Sequence, residues 1–238
     1  MAEDVSEVRN RADELPAKVA ELVSLWWEEA RRNDVLPLDN RVLEAMVHKH
    51  DRRRLQQTYR YFPGGAQVPE WVAADVRNRS HQISVTVEVP DGVVPSGVLL
   101  ALGCALGGWS LHVLDGRLRY VHNLHGRRLY EVAANSLLGS GRHDLEFRFE
   151  KDQGAGGRAA LVIDGRSVGA ADVGHFTPVA FNEVGIGLTC GYEWGPSVGG
   201  DYQVPFAFNG TIVRAEVTAT GPVVRDPVAE VAAILASQ

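Results

Sequence analysis

The sequence predicts a mainly β fold, a β-sandwich or barrel preceded by a short α-helical N-terminal extension. Three features carry that prediction. A helical period marks the start of the chain and returns only in the last dozen residues, short β-type runs separated by turn signals follow one another from Ser80 onward, and two Asp-Gly pairs sit between alternating runs. Successive strands with no helices between them close into packed antiparallel layers or a barrel rather than a parallel sheet.

From Asp13 to about Arg32 the apolar residues Val19, Leu22, Val23, Trp26 and Ala30 recur at the spacing of one helix face. Asp13 is placed to cap this helix, Pro16 falls in the first turn where a missing N–H costs little, and Arg31 and Arg32 complement the C-terminal dipole. Asn33-Asp34 ends it. A second, weaker helical stretch spans Val42 to Arg54 and closes in the charge run KHDRRR, read as a solvated face. Beyond Tyr59 the stretch YRYFPGGAQVPEW, rich in Pro, Gly and aromatics, reads as an irregular connector. The expected organisation is therefore a helical extension over 1–58, a connector over 59–79 and a sandwich over 80–238.

The clearest local element is GGWSLHVLDGRLRYVHN. Asp115-Gly116 makes a two-residue type I′ turn, which fixes the register: Leu114 faces Arg117, His112 faces Arg119, Leu111 faces Tyr120 and Trp109 faces His122. Trp109, Leu111, Val113, Leu118, Tyr120 and His122 form the face assigned to the core, leaving Ser110, His112, Arg119, Val121 and Asn123 on the other. The same device recurs at Asp164-Gly165 in AALVIDGRSVG, and RHDLEFRFE alternates Leu145, Phe147 and Phe149 inward against Asp144, Glu146, Arg148 and Glu150 outward. FAFNGTIVRAEVTAT is the last long strand, preceded by the Gly-rich aromatic loop GYEWGPSVGGDYQVP, a lid or an interface.

Composition excludes several classes. A net charge of −6 and a pI near 5.8 give no basic field for nucleic acid. No apolar run approaches the roughly 20 residues needed to span a bilayer, so no membrane partner is expected. The acidic start MAEDVSEVRN lacks the basic and apolar regions of a secretory signal, and a cytoplasmic location is the expectation. Without such a signal the sequons at Asn78 and Asn209 carry little weight. Cys104 and Cys190 lie in apolar, Gly-flanked runs and read as buried free thiols. No G-x-S-x-G, P-loop or G-x-G-x-x-G is present.

The string VAELVSLWWEEARRNDVLPLDNR resembles the closing segment of the catalytic domain in the large bacterial arylsulfatases. YRYFPGGAQVPEW, VRNRSHQISVTVEVP, GGWSLHVLDGRLRYVHN and DYQVPFAFNGTI are similar, in the same order, to the C-terminal region of that family. The resemblance covers nearly the whole chain and implies a concanavalin A/laminin G-like jelly-roll β-sandwich. It also implies a non-catalytic accessory domain that stabilises or closes a sulfatase catalytic domain, or mediates assembly. The family's chemistry uses a formylglycine made from a C/S-x-P-x-R motif, with Ca²⁺ neutralising the sulfate. Neither Cys104 nor Cys190 is followed by the Pro and Arg of that motif, so no cofactor is expected in this chain and it is expected to be inactive alone.

The alternative is a carbohydrate-binding, lectin-like module of the same fold, since jelly rolls host many functions. Candidate ligand-binding residues for a sugar or sulfated ligand are Ser110, His112, Arg119 and Asn123 on the hairpin, and Tyr192, Trp194, Asp201 and Tyr202 in the loop. The bland reading of the loop aromatics is that they cover a junction. His48 and His50 are two apart on a helix and cannot both reach one metal ion. The other histidines show no ligand spacing, so no metal site is expected. Asp144, Glu146 and Glu150, which superficially resemble glycosidase carboxylates, read as a solvated strand face. Val19, Leu22, Val23 and Trp26 are the expected interface residues, facing a catalytic domain or a second copy of the chain.

Overall fold

A computed structural model describes residues 10–33, 35, 58–154, 156–174, 177, 181 and 184–224. The chain forms two compact units, Met1–Asp51 and Arg52–Gln238.

In the first unit, α1 spans Pro16–Arg32. Its N-cap is Leu15 rather than the expected Asp13, and no side chain caps it. Pro16 at the first helical position explains the late start, because its fixed φ suits that position and its missing N–H is one that would have had no helical partner. At the other end Asn33 Nδ2 donates to Glu29 O at 2.9 Å, closing the helix. The expected stripe of Val19, Leu22, Val23 and Trp26 is exposed among the described residues, as are Leu25 and Trp27. The second helical stretch expected over Val42 to Arg54, with its HKH, lies outside the described residues, as do the last dozen.

The second unit is a two-layer antiparallel sandwich. Its strands are β1 (Thr58–Tyr61), β2 (His81–Val89), β3 (Gly97–Cys104), β4 (Gly107–Leu114), β5 (Arg117–Leu124) and β6 (Arg128–Ala133). They continue as β7 (Gly141–Lys151), β8 (Gly157–Ile163), β9 (Arg166–Val173), β10 (Leu188–Cys190) and β11 (Thr211–Ala219). One sheet runs β1-β11-β2-β7-β8-β9 and the other β10-β3-β4-β5-β6, a jelly-roll order in which the last strand returns beside β1 and β2.

Both hairpins form with the expected turns. Asp115 and Asp164 take φ of 49° and 50° and their following glycines 77° and 78°, the left-handed pair a type I′ turn demands. The register of β4 on β5 is as expected, with Trp109 opposite His122 and His112 opposite Arg119. Ile83, Val85 and Val87 of β2 and Leu145 and Phe147 of β7 meet Leu100, Leu102, Trp109, Leu111, Leu118 and Tyr120 of the facing sheet. Across the two layers Tyr120 stacks on Phe147, ring centroids 3.6 Å apart and 13° from parallel. Cys104 and Cys190 are buried free thiols.

The connector expected over 59–79 is not irregular throughout. Its first residues belong to β1, which pairs with β11, and Val68 bridges to Leu188. Tyr61 is buried and its hydroxyl accepts the Ala74 N–H at 2.8 Å, so the sandwich takes in residues before Ser80. Alternation was masked here by Pro63, Gly64 and Gly65, which punctuate the run directly after β1. The last strand is shorter than expected and begins at Thr211.

Candidate functional site

The expected polar outer face of the β4–β5 hairpin is not open to solvent. Ser110 and His112 are fully buried, because the Gly-rich aromatic loop, residues 191–206, lies across them as a strap. β4 is covered on both sides, by the opposite sheet within and the strap without, so its alternation separates apolar from polar burial instead of buried from exposed.

Backbone hydrogen bonds seat the strap from Gly191 N to Leu99 O, Ala105 N to Pro196 O and Val98 N to Phe206 O, while Phe206 N to Glu193 O and Phe208 N to Gly191 O draw its two ends together. Side chains complete the attachment. Tyr202 Oη shares a hydrogen bond with Ser110 Oγ at 3.1 Å and donates another to Glu193 Oε2. Ser110 Oγ is 3.2 Å from His112 Nδ1, and His112 Nε2 is 3.1 Å from Asp201 Oδ2. The His112 ring meets Tyr202 edge-on, and Tyr202 stacks on Phe206. Arg119 Nη1 donates to Glu131 Oε1 at 3.0 Å and lies 3.9 Å from Asp201 Oδ2, so its charge is set between two carboxylates.

Asn123 belongs to the same seat rather than to a ligand site. Its Nδ2 donates to Ala105 O and Val198 O, and its Oδ1 accepts the Gly126 N–H, leaving little capacity for a ligand. Thus Ser110, His112, Arg119, Asp201 and Tyr202 do come together, but facing each other, and Asn123 holds the strap separately at Val198. Tyr192 and Trp194 are placed differently. Trp194 is 72% exposed and meets the half-buried Tyr192 at 73° with centroids 6.1 Å apart, while Tyr192 Oη donates to Gly65 O at 2.9 Å.

Glu193, between those two aromatics, is the residue the sequence did not reveal. It is 3% exposed, and its Oε1 has no hydrogen-bond partner. Nothing in GYEWG distinguishes an acidic residue folded under a loop from one on its surface. Burial, helped by the nearby charge of Asp201, pushes its carboxyl up to about 7, against the Tyr202 hydroxyl and the Val198 backbone, which favour the charged form. For Asp201 burial acts in the same upward direction, yet the His112 hydrogen bond and the charges of His112 and Arg119 outweigh it and hold the carboxyl below its ordinary value. Burial and the Glu193 charge raise the Tyr202 phenol well above its ordinary value.

Ser110, His112 and Asp201 make the contacts of a hydrolytic triad, but the arrangement does not present a nucleophile. Ser110 Oγ is occupied by Tyr202 and has no exposed surface for a substrate carbonyl to approach. Two of the three outer-face carboxylates considered for glycosidase chemistry are likewise engaged locally. Asp144 Oδ1 accepts from Thr86 Oγ1, and Glu146 pairs with Arg148. Cys104 and Cys190 are both buried in strands. Among the described residues there is no group of three or more His, Cys, Asp or Glu side chains that could hold a metal ion, and no helix long and apolar enough to cross a membrane.

No protein-family model matches the chain, and no curated protein matches it. Among solved structures, the CBM40 of Ruminococcus gnavus IT-sialidase bound to alpha2,3 sialyllactose is similar over 74% of this chain and 97% of that one, at 14% identity and a TM-score of 0.49. Domains LG4-5 of the mouse laminin alpha1 chain are similar over 69% of this chain and 40% of that one, at 18% identity and a TM-score of 0.41. The binding domain of botulinum neurotoxin DC in complex with SialylT is similar over 66% and 36%, at 12% identity and a TM-score of 0.42.

Proposed function

We propose that the sandwich is a non-catalytic, lectin-like module that binds carbohydrate through the Tyr192–Trp194 pair. The observation that carries this reading is the exposed Trp194 ring set edge-on against Tyr192, whose hydroxyl is tied to Gly65 O. An indole so placed offers a flat apolar surface to the C–H face of a pyranose, and fixing its neighbour lowers the ordering cost of binding. Arg119 already sits between Asp201 and Glu131, so stacking rather than ion pairing is the leading contact. Calorimetric titration with mono- and oligosaccharides tests it. Binding that weakens about tenfold in Trp194→Ala, the loss of roughly one stacked contact, is the expected result. Absence of binding across neutral, sialylated and sulfated sugars, or affinity untouched by that substitution, overturns it.

A second reading is favoured by a different observation, the exposed apolar side chains of α1. On it the chain is the accessory C-terminal part of an arylsulfatase, as the sequence resemblance implies, and α1 docks on a catalytic domain or a second copy.

A further inference from the structure

The strap is fastened to its sheet by a hydrogen-bonded chain whose proton count follows from its partners. Glu193 Oε2, Tyr202 Oη, Ser110 Oγ, the two nitrogens of His112 and Asp201 Oδ2 make four successive contacts, and each needs one hydrogen. The two hydroxyls and a neutral imidazole supply three between them, and ionised carboxylates supply none. A fourth completes the chain. Carried by Glu193, it lets donation run from Glu193 to Tyr202, Ser110, His112 and finally Asp201.

We propose that this one titratable proton, held by Glu193, is the latch of the strap: with it residues 191–206 close over Ser110 and His112, and without it they loosen from β4 and β5. Its loss leaves either the Ser110–Tyr202 contact or the Ser110–His112 contact, at 3.1 and 3.2 Å, with two lone pairs facing and no hydrogen between them. It also leaves an ionised Glu193 buried, with Oε1 unpartnered. Around the latch the Tyr202 hydroxyl and the Val198 backbone favour the charged form of Glu193, but burial outweighs them. Glu193 faces Tyr202 and Asp201 within the strap. Arg119 of β5, the cation near Asp201, is also bound to Glu131 of β6. His112 of β4 meets Asp201, Tyr202 and Ser110.

A carboxyl raised to about 7 binds its proton more tightly in the closed state, so closure is strongest below the ordinary glutamate range and is lost as pH rises through about 7. The strap carries Tyr192 and Trp194, so the latch also controls how that pair is presented. Only this consequence rests on the carbohydrate reading; the latch is measured without any ligand.

Peptide-resolved hydrogen exchange of the full chain between about pH 5 and about pH 9, divided by the intrinsic rate at each pH, reads the latch directly. Protection of amides in 192–204 is expected to fall about tenfold across the range, the equilibrium change that goes with one hydrogen bond, while β2 and β7 stay protected. Glu193→Gln supplies a hydrogen that does not titrate and is expected to keep the strap protected throughout. Tyr202→Phe removes the two contacts of the hydroxyl and is expected to leave the strap weakly protected at every pH. Equal protection of the wild-type strap at both ends of the range, or Glu193→Gln with the wild-type pH dependence, overturns the proposal. If Glu193→Gln fails to fold, a Tyr202→Phe strap that keeps the wild-type pH dependence overturns it equally.

Discussion

Asp201 Oδ2 lies 3.1 Å from His112 Nε2, joining an otherwise Gly-rich strap to a histidine with no exposed surface. Replacing Asp201 with Asn keeps an acceptor and removes the charge. The expected cost is about 1–2 kcal/mol of unfolding free energy near neutral pH, the low part of the range for a charge-assisted hydrogen bond because the carboxyl is partly solvated. Since burial is outweighed and the Asp201 carboxyl is held below its ordinary value, its contribution is complete above the usual aspartate range and is lost as pH falls through the lowered value. Urea unfolding of both proteins near pH 7 and near pH 3 checks this. A stability gap that does not shrink on acidification contradicts it.

His81 titrates in the opposite sense from Glu193. It sits between Phe147 and Phe149, with Nδ1 on Arg79 O at 3.0 Å, while Nε2 is buried without a partner. Burial, with a smaller contribution from the Arg79 charge, lowers its pKa to about 4 despite the backbone hydrogen bond. The unfolded chain therefore binds the extra proton first, so stability is complete above about pH 6.5 and falls as pH drops toward 4, by on the order of 3 kcal/mol. A His81→Leu variant is expected to lose less stability than the wild type between neutral pH and pH 4. Parallel pH–stability curves for the two proteins exclude the mechanism.

Where the sequence carried its own geometry, it was legible. Asp115-Gly116 fixed the pairing of Trp109 with His122 because a two-residue turn leaves one register, and the even spacing of Leu145 and Phe147 put both inward. What it did not carry was the partner of each polar face. Ser110, His112 and Asn123 alternate as any solvated face does, and only the return of residues 191–206, some 90 positions later, decides that they are covered. Several of the candidate residues do meet, but facing one another under the strap, and beside them lies Glu193, whose burial no local pattern encodes. Asp13 shows the same limit on a small scale: a good capping residue lost to a proline at the first helical position three residues on.

The stripe on α1 gives the last prediction. Leu22 and Val23 are 52% and 50% exposed, and Trp26 and Val19 share their face at 44% and 39%. Polar residues such as Lys18, Glu21 and Glu28 alternate with them, so the face is contiguous without being part of a core. Burying an aromatic and three aliphatic side chains is worth several kcal/mol at about 25 cal/mol per Å², although association must also offset the loss of translational and rotational freedom. The expected outcome is that the isolated chain sediments as a dimer or larger assembly through this helix. Carrying Trp26→Asp and Leu22→Asp together is expected to return it to a monomer with unchanged sandwich stability. A wild-type monomer at micromolar concentration, or an assembly that survives both substitutions in a folded protein, rules out α1 as the contact between copies. A monomer that binds a sulfatase catalytic domain, and loses it with the same substitutions, assigns the stripe to that domain instead.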